Sequence, residues 1–361
     1  MKKLVCLALA LVMLLALCAC GAKTEPPAAE TKTDAAATTE TKTEETKKAV
    51  DTIELSCSVD LPDGVKFTEA LKEMGEKLYE RTEGRYTVKV YASSTLCTQA
   101  ELFAMLKTGG VDMGEAPIEC QATADARCAA VQLPFAFDNI QANFRFNKLA
   151  NERLYNDMVK ENFNAFPILS ITTGQMQYSG TEQAIKTLDE MQGKLVWVTN
   201  SLASSTITAL GGSPVMIDFN DGYAALQKHT VDGSVGNSPI AVNDLHWEDA
   251  VKSITYCNVS GSSSNLYMSL DVFNAMPEAD QKALLEVAAE TEAEVQAYYD
   301  EMDAAIPGNL TERGVEIYTL PAEELAKWKD AAACVYDDFF AQIDAESAEI
   351  IRQCIEEANA G

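Results

Sequence analysis

Between residues 53 and 115 the apolar period switches from two to between three and four and back, twice over. That alternation confines the chain to a layered α/β architecture. Residues 53–59 read as a strand by alternation and apolar content. Asp60-Leu61-Pro62-Asp63-Gly64 then turns the chain into a helix whose apolar face is Phe67, Leu71, Met74 and Leu78. Thr82-Glu83-Gly84-Arg85 ends that helix, and 86–91 is a second strand with Val88 and Val90 inward. A helix over 99–107, broken by Gly109-Gly110, and a strand over 111–115 complete the run. Strand, helix, strand, helix, strand predicts a parallel sheet covered on both faces.

The remainder continues in the same style. After Leu133-Pro134-Phe135, helical segments run to 163 and a short strand covers 166–171. Strands are predicted at 195–198, 215–217 and 266–268, with 230–235 leading into another. Helices are predicted at 202–210 and 221–228. An uninterrupted helical stretch over 277–302 is long by globular standards and can run the length of two lobes. A strand over 315–320 and a helix over 322–343 close the pattern.

The other end of the chain predicts where it works. Lys2 and Lys3 precede an apolar run over 4–17, followed by Leu17-Cys18-Ala19-Cys20-Gly21. This reads as a lipoprotein leader, 1–19, cleaved so that Cys20 becomes an acylated N-terminus. A membrane span needs about 20 apolar residues, more than this run supplies. Residues 20–50 are dominated by Ala, Thr, Glu and Lys, with no aromatic or large aliphatic residue before Val50. Such a composition cannot offset the entropy of ordering and predicts a disordered tether. It would span on the order of 30 Å root-mean-square. Residues 51–361 suffice for one large or two ordinary domains.

The formal charge is −27, and the near balance of Lys and acid in the tether leaves almost all of it on the folded part. Nucleic acid is excluded as a partner, because neutralising phosphates requires clustered Lys and Arg. An anionic ligand would need a local cation to overcome the general field. Beyond Cys20 the cysteines are Cys57, Cys97, Cys120, Cys128, Cys257, Cys334 and Cys354. Their odd number, their apolar settings and the absence of a C-x-x-C spacing predict reduced thiols, with disulfides between distant pairs left open. No metal site is expected, since ligand spacing is absent and His229 and His246 are the only histidines. Gly-x-Ser-x-Gly, Ser-x-x-Lys, His-Glu-x-x-His and a Gly-rich phosphate loop are also absent, which argues against an enzyme and gives no reason to expect a cofactor.

Several runs carry a family resemblance. In the first half these are Thr82-Glu83-Gly84-Arg85-Tyr86 with Val88, Val90, Tyr91, Ser93 and Leu96, then Glu101-Leu102, Gly110-Val111-Asp112-Met113 and Leu133-Pro134-Phe135 with Phe137. The strongest stretch is Ile185-Lys186-Thr187-Leu188-Asp189-Glu190-Met191 with Gly193-Lys194, Leu210-Gly211 with Pro214-Val215-Met216, and Tyr223 with Ala225-Leu226-Gln227 and Val231-Asp232-Gly233. Met276-Pro277-Glu278 with Gln281-Lys282-Ala283 follows. Over about 52–300 the chain resembles the substrate-binding subunits of tripartite ATP-independent periplasmic (TRAP, DctP-type) transporters.

The resemblance implies a two-lobed α/β fold of the periplasmic-binding-protein type, with a ligand cleft between the lobes and a long C-terminal helix spanning both. The lobes are expected as 51–174 plus 257–302 and 175–256 plus 303–361. It further implies capture of a small organic solute outside the cell and delivery to an ion-gradient-driven permease. The bilayer would be a partner through the N-terminal lipid. Alternative readings are a ligand-sensing module that signals to a membrane receptor and an ABC-type solute-binding lipoprotein.

Departures from the family pattern bear on the ligand. The arginine that grips the substrate carboxylate in the family is replaced by Trp197. A second common arginine has no counterpart in the segment holding Gln175 and Gln177. Losing such a pair costs on the order of 2–5 kcal/mol of affinity, so simple C4-dicarboxylates should bind weakly. Candidate cleft residues by resemblance are Trp197, Asn200, Phe219, Asn237, Gln175 and Gln177. Alternation puts Leu195 and Trp197 on one face of their strand, the ligand-facing one in the family. Core packing is the competing role for Trp197 and Phe219, and helix capping for Asn200 and for Asp221.

Overall fold

The computed structural model describes residues 51–361, so the leader, the tether and Cys20 lie outside the described residues. The opening run folds as β1 (Ile53–Ser58), α1 (Lys66–Arg81), β2 (Tyr86–Tyr91), α2 (Leu102–Thr108) and β3 (Met113–Ala116). The predicted apolar face of α1 is buried. Gly75 on that face lets the helix settle onto β2, since a Cβ there would lie 2.6 Å from the Val88 carbonyl oxygen. Next come α3 (Ile140–Ala150) and α4 (Asn156–Phe163), joined by a π-helical turn, and β4 (Ala165–Ile171).

The second half holds β5 (Met176–Gly180), β6 (Leu195–Val198), α5 (Ser201–Ala209), β7 (Ser213–Met216), α6 (Phe219–Gln227), β8 (Gly233–Ser234), α7 (Pro239–Asp244) and β9 (Ser253–Ser260). The chain closes with β10 (Ser264–Ser269), α8 (Leu270–Ala275), α9 (Glu278–Glu312), β11 (Glu316–Thr319), α10 (Ala322–Phe340) and α11 (Ala345–Ala360).

Two sheets result, ordered β2-β1-β3-β10-β4 and β11-β9-β5-β8-β6-β7. The three strands of the opening run pair in parallel as predicted, but the sheets are mixed: β10 runs antiparallel to β3 and β4, and β5 antiparallel to β8 and β9. The reason is topological. Each reversed strand is the one that enters its sheet from the other sheet, at the edge where the parallel strands end. Strands β5 and β9 and helices α7, α8 and α11 are not foreseen by periodicity.

The two crossings, 172–175 and 261–263, are hydrogen-bonded to one another. The Thr172 hydroxyl donates to the Ser262 carbonyl at 2.8 Å, and the Ser262 hydroxyl donates to the Gly174 carbonyl at 2.7 Å. Asn147 and Asn143 of α3 clamp the same segment, with Asn147 donating to the Ser262 carbonyl and Asn143 accepting from the Ser262 N–H. Helix α9, 35 residues long, packs on α1 and β4 of one body and on α7 and β11 of the other. Its N-terminal end is pinned by Arg85, whose guanidinium donates to both oxygens of the buried Asp280.

The expected lobe division differs from the structure in two places. β9 stays in the second sheet through Ser260, and α11 packs on α3 of the first body instead of joining the second. Ile351, Cys354 and Ala358 of α11 share a core with Phe146, Cys128 and Phe103, because the apolar stripe of α11 completes that cluster. All seven cysteines of the described part are free thiols. Among the described residues no helix is long and apolar enough to cross a membrane.

Candidate ligand cleft

A cavity of about 480 Å³ opens between the ends of the two sheets, within the range of small-molecule sites. From the first body it is lined by Asp60 after β1, Gln99 before α2, Glu115 on β3 and Glu119 just beyond. From the second body come Thr199, Asn200, Asp218, Phe219, Asn220, Asp221 and Asn237. The crossings add Thr173 and Ser262 to Ser264, and α7 with its exit adds Ile240, Asp244 and Leu245. Strand ends and crossings meet here because the reversed strands bring the chain back through the edge where the parallel strands stop.

Electrostatically the site is one-signed. Six carboxylates line it, and among the described residues no Lys, Arg or His does. Glu115 and Glu119 are buried, and burial pushes each up to about 7, opposed by the hydroxyls of Ser264 and Ser263. Ser264 donates to Glu115 at 2.6 Å, and Gln99 donates to the same carboxylate. Ser263 donates to Glu119 at 2.7 Å and Gln132 at 3.0 Å. Burial also raises Asp244. Asp60 accepts from the Ser94 hydroxyl and, from the opposite body, from Asn220 at 3.1 Å.

Three of the six predicted site residues, Asn200, Phe219 and Asn237, lie on the lining. Asn200 is also the N-cap of α5, its Oδ1 accepting from the Ala203 N–H at 2.8 Å. Capping and cleft exposure thus coexist in one side chain. Phe219 opens α6 and packs against Trp247, ring centroids 5.6 Å apart. Asn237, 1% exposed, donates through Nδ2 to the Ser179 hydroxyl at 3.2 Å, while its Oδ1 has no partner.

The other three are off the lining. Trp197 is fully buried, and its Nε1 donates to the Ile217 carbonyl at 2.9 Å. The indole stands one layer behind the wall, backing Phe219 and Gly236, and α6 lies flat on it at Gly222. Only a glycine permits that approach, since a Cβ on Gly222 would fall 1.9 Å from the indole Cη2. The face expected to meet ligand is thus covered by α6, and the ring fills core space. Gln175 donates to the Phe137 carbonyl at 2.8 Å. Gln177 plugs a break in the β5–β9 ladder: pairing skips from Ser260 to Thr255, and its Oε1 accepts from the Cys257 and Asn258 N–H groups, both at 2.7 Å. Both glutamines satisfy buried backbone.

Asp60, Glu115 and Glu119 escaped the sequence reading as site residues. The available signal was a carboxylate at or just past the end of a parallel strand, where open α/β sheets place their ligands. Arg127 is held by Asp125 at 2.5 Å and does not line the cavity.

Two α/β bodies joined by paired crossings, with a cavity at the joint, define a two-lobed solute-binding protein. The family model for bacterial extracellular solute-binding proteins, family 7 (DctP), matches residues 58–343, and the chain belongs to that family. It is 24% identical over 305 residues to the C4-dicarboxylate-binding periplasmic protein DctP of Rhodobacter capsulatus, covering 81% of this chain and 87% of that one. A sugar acid binding protein of Advenella mimigardefordensis, solved with galactonate, superposes with a TM-score of 0.80 at 18% identity, over 86% of this chain and 99% of that one. A TRAP periplasmic solute binding protein of Roseobacter denitrificans, solved with β-D-glucuronate, gives 0.75 at 23% identity, over 85% and 99%.

Proposed function

We propose that this chain captures a small organic solute on the outer face of the cell membrane and hands it, unchanged, to a TRAP permease driven by an ion gradient. The observation that carries this reading is a cavity whose walls come from both bodies, so that filling it favours the closed arrangement. The paired crossings at 172–175 and 261–263 are the hinge, and the bodies that move are those built on the two sheets, with α11 riding on the first. Removal of 1–19 leaves Cys20 acylated, and 20–50 holds the receptor off the bilayer.

The test is uptake. Cells lacking the chain should lose accumulation of its solute, and re-expression should restore it. Accumulation should collapse when the ion gradient is dissipated by an ionophore and persist when ATP alone is depleted. Uptake that follows ATP instead would overturn the permease assignment, and chemical conversion of the solute by the purified chain would overturn the receptor reading. Cys20→Ala should release the chain from the membrane fraction; a variant that is cleaved and anchored as before would exclude the lipid.

A further inference from the structure

We infer that the solute is an organic cation bearing N–H donors, a protonated amine or a guanidinium, and that lobe closure depends on its charge. This rests on the receptor reading above and names the class of ligand for it. Asp60, Glu115 and Glu119 face the cavity from one body, and Asp218, Asp221 and Asp244 from the other. Closing the lobes drives like charges together in a desolvated space, which is unfavourable until a positive charge enters between them.

Carboxylates alone would prove little in so acidic a chain, but the hydrogen-bond inventory points the same way. The Asn237 amide, almost fully buried on the lining, directs its Nδ2 to Ser179 and leaves Oδ1 as an acceptor without a donor. A buried acceptor in that state is costly, and beside the cavity an N–H or O–H on a solute would complete it. The side-chain donors next to the carboxylates are spent on the wall itself, while the hydroxyls of Thr173, Thr199 and Tyr299 on the lining donate to no acceptor among the described residues. Ser263 and Gln132 donate to Glu119, Ser264 and Gln99 to Glu115, Ser262 to the Gly174 carbonyl and Asn220 to Asp60. The wall therefore offers surplus acceptors and negative charge, the complement of an ammonium or guanidinium group. No three His, Cys, Asp or Glu side chains among the described residues converge closely enough to hold a metal ion, which favours an organic cation over a bare one. Phe219 gives that cation an aromatic face, and Ile240 and Leu245 give its carbon skeleton an apolar wall.

The experiment is calorimetric titration and thermal shift of the full-length chain in detergent, with agmatine, putrescine and phenethylamine as cations. Galactonate, glucuronate and succinate serve as anions, a neutral alcohol of matched size as control, and calcium or magnesium alone as the metal arm. Small-angle scattering reports closure. Cations are expected to bind and close the lobes, and Glu119→Gln and Asp221→Asn to weaken them by about tenfold or more each. Glu119→Gln keeps the buried shape, and Asp221 lies on the open first turn of α6, so both variants should fold. Anions that bind and close the chain while cations do not would overturn the inference and leave the receptor reading standing. A metal alone that reproduces the shift would also overturn it, as would cation binding indifferent to both substitutions. If no probe of any class binds or closes the chain, the inference and the receptor reading fall together.

Discussion

Asn220 at the start of α6 donates a hydrogen bond of 3.1 Å to Asp60, at the end of β1, and so ties the two bodies across the cleft. The bond joins a neutral amide to a buried carboxylate across the cleft, so parting the lobes would break it. Asn220→Ala should therefore weaken solute binding by about fivefold, corresponding to ~1 kcal/mol of closed-state stabilisation, with little change in melting temperature. Calorimetry beside thermal denaturation separates the two. A fall in melting temperature without loss of affinity would show the bond to be ordinary surface stabilisation.

Trp197 is expected to behave as a core residue. Trp197→Ala should cost about 3–5 kcal/mol of unfolding free energy in a denaturant titration, as for other large aromatic truncations. Gly222→Ala should destabilise through the same contact, because α6 must lift off the indole to admit the methyl group. A Trp197→Ala chain with unchanged stability and abolished binding would place the ring back in the cleft.

Buried acids give the solute-free chain a distinctive pH response. Glu115 and Glu119 titrate near 7 in the folded state, against about 4.5 when unfolded, so between these values the folded chain holds protons the unfolded chain has released. Stability should fall as pH rises through that window, by on the order of 3 kcal/mol for each group, and stay low above it. Asp60, Gln99 and Ser264 surround Glu115, and Ser263 and Gln132 surround Glu119. Asp125, held low by Arg127, acts in the opposite sense at more acid pH, so the informative quantity is the difference from wild type. Glu119→Gln should flatten the slope between about pH 5 and 7 in urea denaturation; an unchanged slope would assign it to other groups.

Gln177 is expected to matter for folding and not for binding specificity. Gln177→Leu keeps the volume but strands the Cys257 and Asn258 N–H groups, at about 1–3 kcal/mol each. Hydrogen exchange at those two amides should accelerate with the loss of stability. Protection equal to wild type would mean that other groups satisfy them.

Local patterns were enough to order most of the elements. The apolar spacing of α1, the Gly stops, the length of α9 and the Asn200 cap all act within a few residues, where steric and hydrogen-bonding preferences are decided by near neighbours. The run from Ile185 to Gly233 carried the family resemblance, which a family model matching residues 58–343 bears out. Alternation correctly paired Leu195 and Trp197 on one face of β6, yet could not say what covers it. That was decided by Gly222, which admits α6 onto the indole, a contact between segments 25 residues apart. β5 and β9 escaped because their break in pairing is repaired by Gln177, a long-range hydrogen bond that leaves no local period. The convergence of Asp60, Glu115 and Glu119 with Asp218 and Asp221 likewise belongs to the tertiary structure alone, since it arises only when two reversed strands carry the chain back through the cleft.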